Sequence, residues 1–203
     1  MSLVDSYRTL EKLSEGLYRE KGSKFLAYAY PIDSEDEVKD IVDTLKKEYY
    51  DARHHCFAWQ IGIDGMNFRV NDDGEPSGTA GKPIHGQILS NELTNVLIVV
   101  VRYFGGTKLG TSGLINAYRE AAADAIANGK IIEKTIDSRF SINFGYLAMN
   151  DVMRIIKEEE PNIHKQEFDM SCEMELSIRE SRAEVLKNRL LKVETLSIIN
   201  DAQ

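Results

Sequence analysis

Hydrophobic and polar positions along the chain follow two periods, which predict a mixture of helices and strands. Ser34 with Glu37 three residues later is a capping-box pattern, so a helix is predicted to begin there. The apolar positions that follow have helical spacing and predict a buried face: Val38, Ile41, Val42, Leu45 and Tyr49. The aliphatic run Val96–Val101 instead predicts a strand that is buried on both faces.

The first part of the chain is predicted to form one α/β layer that ends near Ile132. Its predicted strands are Glu15–Arg19, Ser23–Tyr30, His54–Gly62, Met66–Val70 and Asn95–Phe104. Pro83 is predicted to open a short helix to about Glu92, and a further helix from Leu114 is predicted to end at Asn128-Gly129. The segments Asn71–Lys82 and Gly105–Gly113 are rich in Gly, Pro and Ser and predict loops.

After Lys134 the order of predicted elements changes to βαββαβ, which is typical of a ferredoxin-like sandwich. We therefore expect an α+β protein with two domains, residues 1–133 and 134–203. Because Ile132–Thr135 contains no Gly/Ser/Pro-rich linker, we expect the two domains to pack together.

Composition narrows the functional class. The chain has 203 residues and a formal net charge of −8, so a nucleic-acid interface would have to use a local basic patch. The two cysteines, Cys56 and Cys172, have no metal-ligand spacing, which argues against a zinc site and fits a reducing compartment. With no signal-peptide pattern at Met1 and no apolar run long enough to span a bilayer, we expect a cytoplasmic protein without membrane contact.

A local cluster of basic residues follows the central strand. Arg102, Lys108 and Arg119 occur without an intervening acid, and the glycines between them lie just before a helix. Glycines allow a ligand to approach the backbone, and a helix N-terminus favours an anion. The spacing matches neither a Walker A loop nor a GxGxxG motif, so a tight turn with purely geometric glycines is the alternative.

The loop before this strand carries three carboxylates, Asp72, Asp73 and Glu75. They could bind a hard cation, form turns in a solvated loop, or pair with Arg102 or Arg53. Because Arg102 lies near the end of an aliphatic strand, its charge is expected to meet a carboxylate or a ligand. The spacing does not fit a calcium-binding loop, and no metal or cofactor is predicted.

The segment Arg53-His54-His55-Cys56 is the third candidate. On a strand, His54 and Cys56 would share one face, but a catalytic-cysteine signature is absent from the sequence. A buried cysteine usually acts as a small hydrophobic residue. No catalytic residue is therefore predicted, and general hydrolase or peptidase activity is not expected.

Four segments together resemble the signature of the IMPACT family, in its bacterial YigZ-like branch. They are Asn71–Pro83 (NDDGEPSGTAGKP), Val99–Gly110 (VVVRYFGGTKLG), Arg53–Cys56 (RHHC) and Gly113–Tyr118 (GLINAY). The resemblance implies an N-terminal domain like domain 2 of ribosomal protein S5 and a ferredoxin-like C-terminal domain. It also implies a link to translation, because the eukaryotic branch regulates initiation through a protein partner.

The predicted binding surface is Asn71–Gly113 with the nearby Arg53 and His54. We expect the following residues to contact a ligand or anion: Arg53, His54, Asp72, Asp73, Glu75, Thr79, Gly81, Arg102, Tyr103, Gly105, Gly106, Lys108, Gly110 and Gly113. The favoured hypothesis is non-catalytic binding of RNA, the ribosome or another phosphate-bearing ligand, without sequence-specific DNA contacts. The alternatives are an enzyme acting on a small anionic ligand, and a protein-interaction module with a translation-related partner.

Overall fold

The structure is a computed structural model that describes residues 5–169 and 171–202. It divides into two compact units, one of them Tyr7–Lys134. The other contains the described residues after position 134 together with Asp5 and Ser6. Within that unit, the carbonyl of Asp5 accepts a hydrogen bond of 2.8 Å from the Ile136 amide. Both units combine helices and strands, so the predicted α+β class is confirmed.

The first unit is built on a five-stranded antiparallel sheet. Its elements are β1 (Ser6–Leu10), β2 (Ser14–Glu20), β3 (Ser23–Pro31), α1 (Glu35–Glu48), β4 (His54–Ile61), β5 (Asn67–Asn71), α2 (Gly81–Ser90), β6 (Val96–Tyr103), α3 (Gly110–Asn128) and β7 (Ile131–Thr135). The strand order is β2-β3-β6-β4-β5, which makes the aliphatic β6 the central strand.

Helices cover both faces of this sheet, which explains why β6 is apolar at consecutive positions. Ile98 and Val100 pack in the core beneath α2 and α3, whereas Val99 and Val101 pack in the core beneath α1. The predicted capping box is present at the start of α1, where the Ser34 hydroxyl accepts a hydrogen bond from the Glu37 amide.

The second unit has the predicted βαββαβ order. Its elements are β8 (Asp137–Gly145), a 3-10 turn (Tyr146–Ala148), α4 (Met149–Glu159), β9 (Asn162–Phe168), β10 (Ser171–Arg179), α5 (Glu180–Leu190) and β11 (Ser197–Ala202). The antiparallel sheet has the order β11-β8-β10-β9, and α4 and α5 close a separate hydrophobic core against it. The predicted end of the strand before β10, Met170, lies outside the described residues.

The structure adds two strands that the sequence pattern did not predict, β1 and β7, which pair with each other as a two-stranded sheet. It also begins α3 at Gly110, four residues before the predicted start at Leu114. Gly129 follows α3 as predicted, but its φ of −88° is not left-handed. Within the part of the chain that the structure describes, no helix has both the length and the apolar character needed to cross a membrane.

Candidate functional site

The loop between β5 and α2 is held in place by the carboxylate of Asp72. Its Oδ1 accepts hydrogen bonds from the amides of Ala80 (3.0 Å) and Gly81 (2.8 Å), and its Oδ2 accepts one from Gly78 (2.8 Å). Burial by itself would raise the pKa of Asp72, but these three backbone donors outweigh it and the pKa is lowered. Asp72 therefore closes the loop onto the start of α2 and is not available as a ligand group.

Asp73 fixes the same loop to β4. Its Oδ2 accepts a 2.6 Å hydrogen bond from the backbone amide of His55, and Lys46 of α1 lies 3.6 Å from its Oδ1. Its backbone is left-handed, with φ of 41°. The carbonyl oxygen of Asp73 lies 2.8 Å from Nδ1 of His54, so the loop also orients that imidazole.

Glu75 is the carboxylate that pairs with Arg102. Oε1 of Glu75 accepts a hydrogen bond from Arg102 Nη1 and another, of 2.8 Å, from the Tyr118 hydroxyl of α3. The Glu75 side chain is 4% exposed and that of Arg102 is 7% exposed. The arginine also lies over the rings of Phe25 and Phe104, at 5.4 Å and 5.8 Å from their centroids. The loop therefore folds against Arg102, as predicted, and neutralises its charge.

The glycines after β6 serve backbone packing and turn geometry. A Cβ on Gly105 would lie 1.9 Å from the carbonyl carbon of Gly22, so only glycine fits where this loop meets the β2–β3 turn. Gly106 and Gly110 have φ of 87° and 73° and face open space. This arrangement places Lys108 on an exposed loop immediately before the N-terminus of α3.

These elements enclose a cleft of about 460 Å³. Its polar lining comes from the start of β4, from the loop between β5 and α2 (residues 72–80, the acidic loop), from β6 and from the segment that leads into α3: Arg53, His54, Glu75, Arg102, Lys108 and Thr111. Its remaining wall is largely apolar: Pro76, Phe104, Leu109, Gly110 and Leu114. The volume lies toward the lower end of the range of about 300–1,000 Å³ typical of small-molecule sites.

The cleft has an excess of positive charge. Arg102 is compensated by Glu75, but Arg53 and Lys108 are exposed and form no ion pair with any residue that the structure describes. The start of α3 has no side-chain cap hydrogen bond, and Gly110 and Thr111 of its first turn line the cleft. Two free cations and a helix N-terminus together favour an anion.

Six of the predicted contact residues line the cleft: Arg53, His54, Glu75, Arg102, Lys108 and Gly110. Asp72, Asp73, Thr79 and Gly81 instead build the loop, and Thr79 is buried with its hydroxyl 2.6 Å from the Pro76 carbonyl. Gly105 and Gly106 shape the turn, and Gly113 lies inside α3 with the place of its missing Cβ 3.0 Å from Leu109 Cβ.

Tyr103 is the predicted contact that lies elsewhere. Because side chains alternate along a strand, it packs on the α1 face of the sheet, opposite to Arg102. Its hydroxyl donates a 2.7 Å hydrogen bond to Asp51, which raises its pKa to about 12. Sequence reasoning also missed the apolar wall of Pro76, Phe104, Leu109 and Leu114. The available signal in the sequence was Phe104, an aromatic residue between the aliphatic strand and the glycine-rich turn, and the structure leaves it 47% exposed.

Cys56 is buried and is oriented by polar neighbours. Its Sγ lies 3.0 Å from the Asp72 carbonyl oxygen and 3.3 Å from the Tyr118 hydroxyl. Burial raises the pKa of this thiol, which disfavours the nucleophilic thiolate. Among the described residues, no group of three His, Cys, Asp or Glu side chains is arranged to hold a metal ion.

Comparison with known proteins identifies the family of this chain. The model of the Impact N-terminal domain matches residues 21–126, which include the acidic loop, β6 and most of α3. An IMPACT family member of Haemophilus influenzae is 32% identical over 84% of this chain and 84% of its own length.

Two further relatives extend the similarity along the chain. YigZ of Escherichia coli, also an IMPACT family member, is 32% identical over 73% of this chain and 74% of its own. A crystal structure of a hypothetical protein superposes with a TM-score of 0.73 at 25% identity, covering 99% of this chain and 100% of that one. The chain therefore belongs to the IMPACT family, in the group that includes YigZ.

Proposed function

We propose that this protein is a non-catalytic binding protein linked to translation, which holds a phosphate-bearing ligand in the cleft between the acidic loop and the start of α3. The observation that carries the proposal is the pair of uncompensated cations, Arg53 and Lys108, beside an uncapped helix N-terminus. Phosphate oxygens accept hydrogen bonds from such amides and attract both cations. RNA or the ribosome is the partner class that this chemistry fits.

Membership of the IMPACT family supports the link to translation. Within that framework we assign the two units to an S5 domain 2-like fold and a ferredoxin-like fold. The second assignment is supported by the strand order β11-β8-β10-β9 and the βαββαβ connection. The cytoplasm is the compartment in which such a partner would be met.

A second candidate function is catalysis on a small anionic ligand. It is favoured by the size of the cleft, about 460 Å³, which suits a small molecule better than a folded nucleic acid. Against it, the thiol nearest the cleft is buried with a raised pKa, and the nearest carboxylate, Glu75, is committed to Arg102 and Tyr118. Binding without turnover is therefore the stronger proposal.

The experiment measures binding of short single-stranded RNA at several salt concentrations to the parent protein and to Lys108→Ala and Arg53→Ala. Each variant should weaken binding and reduce the salt slope by about 0.7, the value expected for one lost phosphate contact on a single strand. Lys39→Ala is the matched control, because Lys39 is an exposed lysine of α1 on the other face of the sheet. If both cleft variants bind RNA and inorganic phosphate as the parent does, the proposal fails.

A further inference from the structure

The charge in the cleft matches a terminal phosphate better than an internal phosphodiester. Arg53 and Lys108 contribute two positive charges that no described carboxylate pairs with. A phosphomonoester carries a charge of about −1.5 to −2 at neutral pH, whereas each phosphodiester in a nucleic-acid strand carries a single negative charge. A dianion therefore uses both cations, with the amides of the first turn of α3 as hydrogen-bond donors.

Arg102 keeps its charge at the cleft but is only partly satisfied by the protein. This residue is 6% exposed and lines the cleft, and Glu75 pairs with its Nη1. Its Nε, however, is a buried donor with no hydrogen-bond partner among the described residues. A buried N–H group without an acceptor is costly, so the contact with Glu75 leaves the Arg102 guanidinium incompletely satisfied beside the cleft.

His54 adds a hydrogen-bond acceptor to this cationic site. Its Nδ1 lies 2.8 Å from the carbonyl oxygen of Asp73. Because a carbonyl can only accept, Nδ1 donates this hydrogen bond, and in the tautomer with a single ring proton Nε2 carries the lone pair. No described residue donates a hydrogen bond to Nε2, and Oε1 of Glu75 lies 4.0 Å away. In a site built for an anion, an acceptor is suited to a hydroxyl group on the same ligand.

The apolar wall of the cleft offers a contact surface for a part of the ligand other than its phosphate. Phe104 is 47% exposed, and Pro76, Leu109 and Leu114 line the same cleft. An exposed aromatic ring beside a cationic site is a stacking platform for a base. The cleft volume, about 460 Å³, accommodates one nucleotide.

We infer that the cleft binds the terminal phosphate of a single ribonucleotide unit, with a ribose hydroxyl donating to Nε2 of His54 and the base against Phe104. This inference rests on the proposed function, and it specifies the ligand. The same chemistry is offered by a free ribonucleoside monophosphate and by the 5′-phosphorylated end of an RNA. The two differ at the 3′-hydroxyl, which is free in the mononucleotide and esterified in the RNA.

The test compares adenosine 5′-monophosphate with its 2′-deoxy and 3′-deoxy forms, with adenosine and with inorganic phosphate, by titration calorimetry on the full chain. We expect the parent nucleotide to bind about 5- to 10-fold more tightly than the deoxy form that lacks the contacted hydroxyl. Loss on 2′-deoxygenation is compatible with both ligand sources, and loss on 3′-deoxygenation identifies the free nucleotide. If the 2′-hydroxyl is the contacted group, a 5′-phosphorylated oligoadenylate should bind more tightly than its 5′-hydroxyl form. If the 3′-hydroxyl is the contacted group, the two oligoadenylates should bind equally.

His54→Phe, which keeps a planar ring but has no hydrogen-bond acceptor, provides the matched variant. It should abolish the preference for the hydroxylated nucleotide while changing the affinity for inorganic phosphate by less than about 2-fold. If inorganic phosphate binds but the three nucleotides bind equally, or if adenosine binds as tightly as its monophosphate, the ligand inference is overturned and the proposed function stands. If none of the phosphates and neither oligonucleotide binds, the proposed function itself fails.

Discussion

Arg102 of β6 and Glu75 of the acidic loop form a buried ion pair, with Nη1 of the arginine bonded to Oε1 of the carboxylate. The Tyr118 hydroxyl donates a second hydrogen bond to the same oxygen. This pair connects the central strand, the loop and α3 at one point. Breaking such a pair leaves an uncompensated charge in the interior, which is far more costly than losing a surface contact.

Arg102→Ala is therefore expected to destabilise the protein by about 3–5 kcal/mol. Lys108→Ala, which removes an exposed cation, should change the free energy of unfolding by no more than about 0.5 kcal/mol. Urea denaturation followed by fluorescence measures the free energy of unfolding of both variants. Equal stability of the two variants would contradict the structure. The double variant Arg102→Met/Glu75→Gln should recover part of the loss, because it removes both charges.

Asp72 should make the stability of the first unit depend on pH. Its pKa is lowered in the folded protein because the amides of Gly78, Ala80 and Gly81 stabilise its charged form against the opposing effect of burial. An unfolded aspartate has a pKa of about 3.9, so this contribution is complete above that pH. It is lost as the pH falls below about 4 and through the lower folded value.

The variant Asp72→Asn keeps the size of the side chain and removes the charge. At pH 7 it should be less stable than the parent by about 1.5–3 kcal/mol, since the lost bonds are charge-assisted. The difference between the two proteins should shrink as the pH falls below about 4. Thermal melts across this pH range measure the difference in stability. A difference that is independent of pH would show that the charge of Asp72 does not contribute to it.

Gly105 and Gly106 should respond differently to alanine. Gly105→Ala places a Cβ 1.9 Å from the carbonyl carbon of Gly22, so the two turns must separate. Gly106→Ala meets no atom within 4 Å and only incurs the strain of a φ of 87°. We expect Gly106→Ala to cost about 1–2 kcal/mol and Gly105→Ala to cost more. The reverse order in denaturant midpoints would show that the loop packs differently.

The thiols should react only after unfolding. Cys56 and Cys172 are both 0% exposed, and burial also raises the pKa of Cys56. A thiol reagent at pH 8 should label neither residue rapidly in the native protein, because thiolate and access are both required. In urea both cysteines should be labelled, which provides the internal control. Rapid labelling of Cys56 in the native state would reopen a catalytic interpretation.

Local patterns predicted most elements of this fold. The capping box at Ser34 and Glu37, the aliphatic run in β6 and the βαββαβ order all depend on short stretches of sequence, and all are present. The strands β1 and β7 were missed because each has five residues and pairs with the other across most of the first unit. Nothing local marks such a distant pairing.

The candidate site was predictable as a region and not as a set of contacts. Three carboxylates within four positions offered equal partners for Arg102, and only the path of the folded loop selects Glu75. That path turns Asp72 toward the backbone of α2 and Asp73 toward β4. Tyr103 was assigned to the site because it adjoins Arg102, although neighbouring residues on a strand face opposite sides.

The close approach of backbone at Gly105 and at Gly81 separates two kinds of evolutionary constraint. A Cβ at Gly81 would lie 2.7 Å from the amide nitrogen of Asn71, so any side chain at either glycine is rejected by the fold itself. A descendant protein that had changed its ligand, or abandoned it, would still inherit both glycines, whereas Arg53 and Lys108 would be free to drift. Retention of the glycines in a relative would thus report the shared fold, whereas retention of Arg53 and Lys108 would report the proposed anion site.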